Sequence, residues 1–120
     1  MTDNTVAIVY NTCGIQGDNT KWYIECLKGF LDQDLENCRV VWSSCRNSTE
    51  CVKEIYSTFG DRISYCLTPE THTVNITFNN AVKKVVEEFG EFEGYMYVDS
   101  GCTVGNQTDI VGKTLETMRS

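Results

Sequence analysis

The chain has little positive charge and no long apolar segment. Its 120 residues contain 10 Lys and Arg against 17 Asp and Glu, which gives a formal net charge of −7. Nucleic acids and anionic membranes are bound by basic surfaces, so this balance argues against both as partners. No apolar run approaches the roughly 20 residues that cross a bilayer, and the first four residues lack the basic region of a secretory signal. We therefore expect a cytoplasmic protein without a membrane segment.

The sequence also lacks the usual patterns of zinc ligands and of nucleophilic catalysis. His72 is the single histidine, and none of the 7 cysteines forms a Cys-x-x-Cys pair. We expect reduced, mostly buried thiols rather than a zinc site. No histidine is placed to activate Cys13 or Cys102, so covalent thiol catalysis is not expected. Gly14 and Gly17 do not complete a dinucleotide fingerprint, and no Walker-type Gly-Lys-Ser/Thr follows them.

What the sequence does contain is a regular alternation of short apolar runs and amphipathic segments. The runs are typical of buried parallel strands, and the segments between them have helical spacing. The predicted strands are residues 6–10, 39–42, 63–67 and 95–98. The first predicted helix begins near Thr20, and the second is capped by Ser48 or Thr49. The third and fourth predicted helices span about 75–89 and 108–118. This order predicts one α/β domain over residues 1–120, with a three-layer, open and mainly parallel sheet.

Aromatic residues at helical spacing are expected to lie in the core and not in a cofactor site. They are Trp22, Tyr23 and Phe30 of the first helix. Tyr56 and Phe89 are predicted on the apolar faces of the second and third helices. An apolar stripe of this kind normally faces a sheet.

Polar residues follow each predicted strand. Because the carboxyl ends of parallel strands meet at one edge, these residues are candidates for a shared site. If the fourth strand lies beside the first, Asp99 shares a crevice with Asn11 and Thr12. A carboxylate there can accept hydrogen bonds from ribose hydroxyls or hold a divalent cation, and Gly101 would let a diphosphate approach the backbone.

Each candidate also has a purely structural interpretation. An Asp after a strand is often a turn or helix cap, and Ser43 and Ser44 are more often solvated loop residues than ligand contacts. A flavodoxin-like receiver domain is a weaker alternative for the whole chain, because Asn11 and Thr12 stand where a receiver needs an acidic cluster.

Four segments follow one another in the order and spacing of a known enzyme family. Residues 6–11 are similar to its opening strand, 23–33 to its first helix, and 77–82 to the helix after the third strand, with Asn79 near a recurrent Asn. Residues 97–101 are similar to the strand that ends in an Asp-x-Asp motif. The chain thus resembles the nucleotide-binding half of family 2-type glycosyltransferases, which have the Rossmann-like GT-A fold.

The resemblance implies that the chain binds a nucleotide-diphosphate sugar donor for transfer to an acceptor. Asn11, Thr12, Ser43, Ser44, Asn79, Asp99 and Gly101 are the implied nucleotide-binding residues. Asp99 is the implied metal ligand, for Mn or Mg on the diphosphate. The acceptor-binding half, with the general base of inverting members, is expected beyond Ser120, so the isolated chain is expected to lack transfer activity.

Two departures from the family pattern support an alternative. Ser43 and Ser44 replace an acidic residue after the second strand, and Gly101 replaces the second Asp of Asp-x-Asp. The alternative is a non-catalytic binding or assembly module with a degraded motif. Such a module would form a homo-oligomer through an exposed sheet edge.

Overall fold

The computed structural model describes residues 4–14, 17–32, 37–68 and 74–99, and only the backbone of Val74 and Asn75. Strands and helices alternate along the chain, with one 3-10 turn at Gly60–Arg62. The strands are β1 (Val6–Cys13), β2 (Arg39–Cys45), β3 (Ser64–Thr68) and β4 (Gly94–Asp99). The helices are α1 (Thr20–Leu31), α2 (Thr49–Phe59) and α3 (Val74–Phe89).

The described strands form one sheet in the order β3-β2-β1-β4, and every pair in it is parallel. The predicted α/β architecture with a parallel open sheet is therefore confirmed. β2 and β3 follow one another on one side of strand β1, and the chain then crosses back so that β4 pairs with the other side of β1. Open α/β sheets bind ligands where the strand order reverses in this way, and here that point lies between β1 and β4.

Helices cover both faces of the sheet, which gives the three predicted layers. Val6, Ile8 and Tyr10 of β1 pack in one cluster with buried residues of α1 and α2. Ala7 and Val9, which point to the opposite face, pack with residues of α3. Since both faces of β1 are buried, its sequence is continuously apolar instead of alternating.

β1 and β2 each extend three residues beyond their predicted ends. The prediction placed Asn11 and Ser43 in loops, and this was wrong: the pairs Asn11–Ser43 and Cys13–Cys45 continue the ladder between the two strands. Polar side chains do not end a strand when a neighbouring backbone still offers hydrogen-bond partners. The polar residues at the carboxyl edge are consequently held in a rigid sheet.

The prediction that Trp22, Tyr23 and Phe30 lie in the core was partly wrong, because Tyr23 and Phe30 are buried but Trp22 is 39% exposed. Tyr56 and Phe89, predicted on the apolar faces of their helices, are 56% and 44% exposed. Trp22 directly precedes Tyr23 in α1, and adjacent helical residues point about 100° apart.

Phe89, another of the exposed aromatic residues, is the last residue of α3 and has a charged neighbour. The guanidinium carbon of Arg39 lies 4.6 Å from the centre of its ring. A cation–π contact of this kind stabilises an aromatic ring without enclosing it.

Several predictions concern residues outside the described ranges. They are the fourth helix over 108–118 and the positions of Gly101, Cys102, Pro69 and His72. Among the helices that the structure does describe, none combines the length and the apolar character needed to cross a bilayer.

Candidate functional site

Three polar side chains form a row across the carboxyl edge of the sheet. Asn11 of β1 pairs in register with Ser43 of β2 on one side and with Asp99 of β4 on the other. Register partners in a parallel sheet point to the same face. By alternation from Ala7 and Val9, that face is the one covered by α3. We refer to Ser43, Asn11 and Asp99 as the Asn11 row, and it lies at the point where the strand order reverses.

Buried polar atoms without partners are concentrated on this face. Asn11 Oδ1, Ser43 Oγ and the Tyr97 hydroxyl have no hydrogen-bond partner among the described residues. Ser43 is fully buried, and Tyr97 lies two residues before Asp99 on the same side of β4. A buried polar atom that is left unpaired costs about 1–3 kcal/mol, so such atoms are rare in native proteins. Their grouping indicates that another polar group, from a residue outside the described ranges, from a ligand or from water, completes the site.

Tyr97 links the Asn11 row to α3. Its ring meets that of Phe78 edge to face, with centroids 5.6 Å apart and planes at 82°. Burial, and secondarily the charge of Asp99, raise the pKa of Tyr97. The polar side chain of Asn11 lowers this pKa, but by less. The phenol therefore stays protonated near neutral pH and can both donate and accept a hydrogen bond.

Asp99 is the carboxylate of the row, and its side chain is exposed at the end of β4. No group of three or more His, Cys, Asp and Glu side chains within the described ranges could hold a metal ion. Asp99, the implied metal ligand, thus belongs to no such group in the described part of the chain.

Thr12 and Ser44, by contrast, point to the opposite face and are engaged in hydrogen bonds. Thr12 Oγ1 accepts from Trp42 Nε1 at 3.0 Å and donates to Asn47 Oδ1 at 2.8 Å. Ser44 Oγ donates to the same Asn47 oxygen, also at 2.8 Å. One amide oxygen thus joins the ends of β1 and β2 to the loop that precedes α2.

Asn47 also reaches the loop before α1. Its Nδ2 donates to Asp18 Oδ1 at 2.8 Å, and the backbone N–H of Ser48 donates to Asp18 Oδ2 at 3.1 Å. Burial tends to raise the pKa of Asp18, but hydrogen bonds from Ser48 and Asn47 outweigh it and lower the pKa below its usual value. We call Thr12, Ser44, Asn47 and Asp18 the Asn47 clamp.

A glycine brings the two loops into contact beside the clamp. The N–H of Gly14 donates to the carbonyl of Cys45 at 2.9 Å. A Cβ atom at Gly14 would lie 2.4 Å from the carbonyl oxygen of Arg46 and 2.7 Å from Asn47 Cα. Since real Cβ contacts are never this short, only glycine allows this approach.

The structure therefore divides the predicted site residues into separate groups. Asn11, Ser43 and Asp99 lie together, whereas Thr12 and Ser44 hold the loops on the other face. Asn79 is exposed in α3.

Sequence reasoning missed Asn47, Asp18 and Tyr97. Asp18 lies two residues before the predicted start of α1, where an acidic residue is expected to interact with its own helix. Instead it accepts a hydrogen bond from the backbone N–H of Ser48, the N-cap residue of α2.

Two surface pockets lie beside α2 and β3, away from the Asn11 row. One, of about 340 Å³, adjoins the Asn47 clamp and is lined by Ser44, Arg46, Asn47, Thr49, Val52, Leu67 and Thr68. The other, of about 580 Å³, is largely apolar and includes the exposed Tyr56 and Leu67. The second pocket is a candidate contact surface for another polypeptide, because exposed apolar patches commonly mark such contacts.

No protein-family model and no curated protein matches this chain.

Proposed function

We propose that the chain is the donor-binding domain of a glycosyltransferase and holds the nucleotide part of a sugar donor at the Asn11 row. The observation that supports this most is the coincidence of two features at one place. The strand order reverses between β1 and β4, and the unpaired atoms of Asn11, Ser43 and Tyr97 lie there on one face. Reversal points are where open α/β sheets bind ligands.

Each side chain of the row has a role that suits its chemistry. The Asp99 carboxylate accepts hydrogen bonds from vicinal hydroxyls, as a ribose presents them. The Asn11 amide and the Ser43 hydroxyl offer neutral donors and acceptors for the base or the ribose. Where Mn or Mg accompanies the diphosphate, Asp99 would be its protein ligand, and the ion would neutralise charge on the departing nucleoside diphosphate.

Calorimetric titration with UDP, GDP and their common sugar conjugates, with and without manganese, tests this proposal. The variant Asp99→Asn removes the charge of the row and keeps its shape. Asp32→Asn is the matched control, because Asp32 is an exposed carboxylate at the end of α1, at the opposite edge of the sheet.

We expect one nucleotide class to bind the unaltered chain and the Asp32→Asn variant equally, and the Asp99→Asn variant at least about tenfold more weakly, which corresponds to about 1.4 kcal/mol. Manganese dependence that disappears in Asp99→Asn would support the metal role. Binding without manganese dependence would retain the donor site and remove the metal. If a folded sample bound none of these nucleotides, the proposal would be wrong for this chain.

An assembly module is the second candidate, and the surface beside β3 favours it. β3 is a terminal strand of the described sheet, and its five residues, Ser64–Thr68, include no charge. Leu67, within β3, is 54% exposed, and Tyr56 of the adjacent helix α2 is 56% exposed. Natural proteins usually protect a sheet edge with charges or proline, because an unprotected edge pairs with other strands.

Sedimentation velocity distinguishes this candidate from a monomeric binding domain. Self-association through β3 predicts a concentration-dependent dimer that is lost in Leu67→Lys. Asn80→Lys, which adds the same charge at an exposed position of α3, is the control for a simple charge effect. A monomer across the micromolar range would contradict the assembly role.

A further inference from the structure

Two cysteines end neighbouring strands directly beyond the Asn11 row. Cys13 is the last residue of β1, Cys45 is the last residue of β2, and the two are register partners. Because each lies two residues after a member of the row, both point to the face of Asn11 and Ser43. Neither is part of a disulfide within the described residues, and Cys13 is exposed whereas Cys45 is buried.

The strand geometry brings these thiols within reach of each other. Neighbouring strands are separated by about 4.8 Å, which lies inside the range of about 4.4–6.8 Å for the Cα atoms of a disulfide. The other described cysteines are placed differently: Cys26 and Cys51 pack in the cluster on the opposite face.

Cys66 is the nearest competitor and is less well placed. It is the register partner of Ser43 and thus lies one row earlier than Cys45.

We propose that Cys13 and Cys45 form a thiol–disulfide exchange site for a low-molecular-weight disulfide such as oxidised glutathione. The Cys13 thiolate attacks one sulfur of that disulfide, forms a mixed disulfide and releases one glutathione thiolate. The Cys45 thiolate then attacks the Cys13 sulfur and releases the second. Two protein thiols are oxidised, one glutathione disulfide is reduced to two glutathione thiols, and the two protein protons pass to them through water.

The product disulfide would join the ends of β1 and β2 at the rim of the Asn11 row. Cys13 is exposed, and exposed disulfides are among the more easily reduced ones. The bond is therefore reversible, and it acts as a redox-controlled link beside the row instead of a permanent support. It does not depend on the proposed glycosyltransferase role.

The chain allows a direct test, because cleavage after Lys and Arg places every cysteine in a different tryptic peptide. The folded chain is incubated with oxidised glutathione, its free thiols are blocked, and intact mass and non-reduced tryptic peptides are measured. Compared with an untreated chain that is blocked in the same way, we expect two fewer blocked thiols, and residues 1–21 linked to 40–46. Dithiothreitol added before blocking should restore the two missing blocked thiols.

Two variants and one control make the test specific. Cys45→Ala should stop at the first step and retain one glutathione on Cys13, whereas Cys13→Ser should lose the Cys45 linkage entirely. Cys26→Ser should behave as the unaltered chain. A lasting glutathione adduct in the unaltered chain, a bridge that uses another cysteine, or no reaction at Cys13 would each overturn the proposal.

Discussion

Asn47 and Asp18 are joined by a 2.8 Å hydrogen bond that spans 29 residues of sequence. Through it, the loop before α1 is fixed to the loop before α2, and the other Asn47 side-chain atom holds the ends of β1 and β2. The carboxyl edge of the sheet is thus held in shape by the side chain of Asn47, which is not a member of the Asn11 row.

The first prediction concerns the stability of the Asn47 clamp. In Asn47→Ala, the buried hydroxyls of Thr12 and Ser44 lose their acceptor and Asp18 loses a donor. Unfolding in urea should show a loss of about 2–4 kcal/mol, because unpaired buried groups cost more than the bonds themselves contribute. Asn79→Ala, on an exposed part of α3, is the control and should change stability by less than about 0.5 kcal/mol. Equal stability of the two variants would contradict the structural role of Asn47.

The second prediction concerns acid. The folded pKa of Asp18 lies below its ordinary value of 3.8, so its contribution to stability is complete above that value and is lost as the pH falls through the folded pKa. Thermal midpoints of the unaltered chain and of Asp18→Asn, measured from pH 7 down to about pH 2, should differ at neutral pH and converge in acid. A difference that stays constant over this range would show that the charge of Asp18 is not the stabilising feature.

The third prediction compares two adjacent serines. Ser43 Oγ is buried without a partner among the described residues, whereas Ser44 Oγ donates to Asn47. Ser44→Ala should lower stability by about 1 kcal/mol, and Ser43→Ala should leave it unchanged or raise it by up to about 1 kcal/mol. In the nucleotide titration the order should reverse, with Ser43→Ala the weaker binder. A destabilised Ser43→Ala variant would show that its hydroxyl already has a partner.

The fourth prediction separates crowding from backbone strain at two glycines. Gly14→Ala should cost about 3 kcal/mol or more, because its Cβ would meet backbone atoms of Arg46 and Asn47 that cannot move independently. Gly60→Ala is the comparison, since Gly60 has φ of +52° and open space around it. There the cost should be smaller, about 1–3 kcal/mol, which is the strain of a positive φ combined with a ψ of −130°. Urea unfolding of both variants measures the difference, and a Gly14→Ala variant as stable as Gly60→Ala would contradict the close loop contact.

The fold could be predicted from sequence because its signals are local and repeated. Continuous apolar strands and amphipathic helices specify a parallel sheet with helices on both faces, and both are read from neighbouring residues. Strand ends were missed, since the pairing of Asn11 with Ser43 depends on a second strand and not on the polarity of either residue.

The site was predictable only in part, for a similar reason. The sequence identified Asp99 and Asn11, which follow apolar runs and meet once β4 lies beside β1. It did not distinguish Ser43 from Ser44, because the face to which each points depends on strand register. Asn47 and Asp18 were missed because their contacts join separate loops, and nothing local to either residue indicates its partner.

The central position of β1 has a consequence for how the chain is made. β1 is translated before the other strands, yet it is enclosed only when both β2 and β4 have paired with it. At the usual rate of about 5–20 residues per second, β4 leaves the ribosome several seconds after β1. During that interval one edge of the most apolar strand stays open on the nascent chain. A chaperone bound at the ribosomal exit would therefore find an apolar binding segment at residues 6–10.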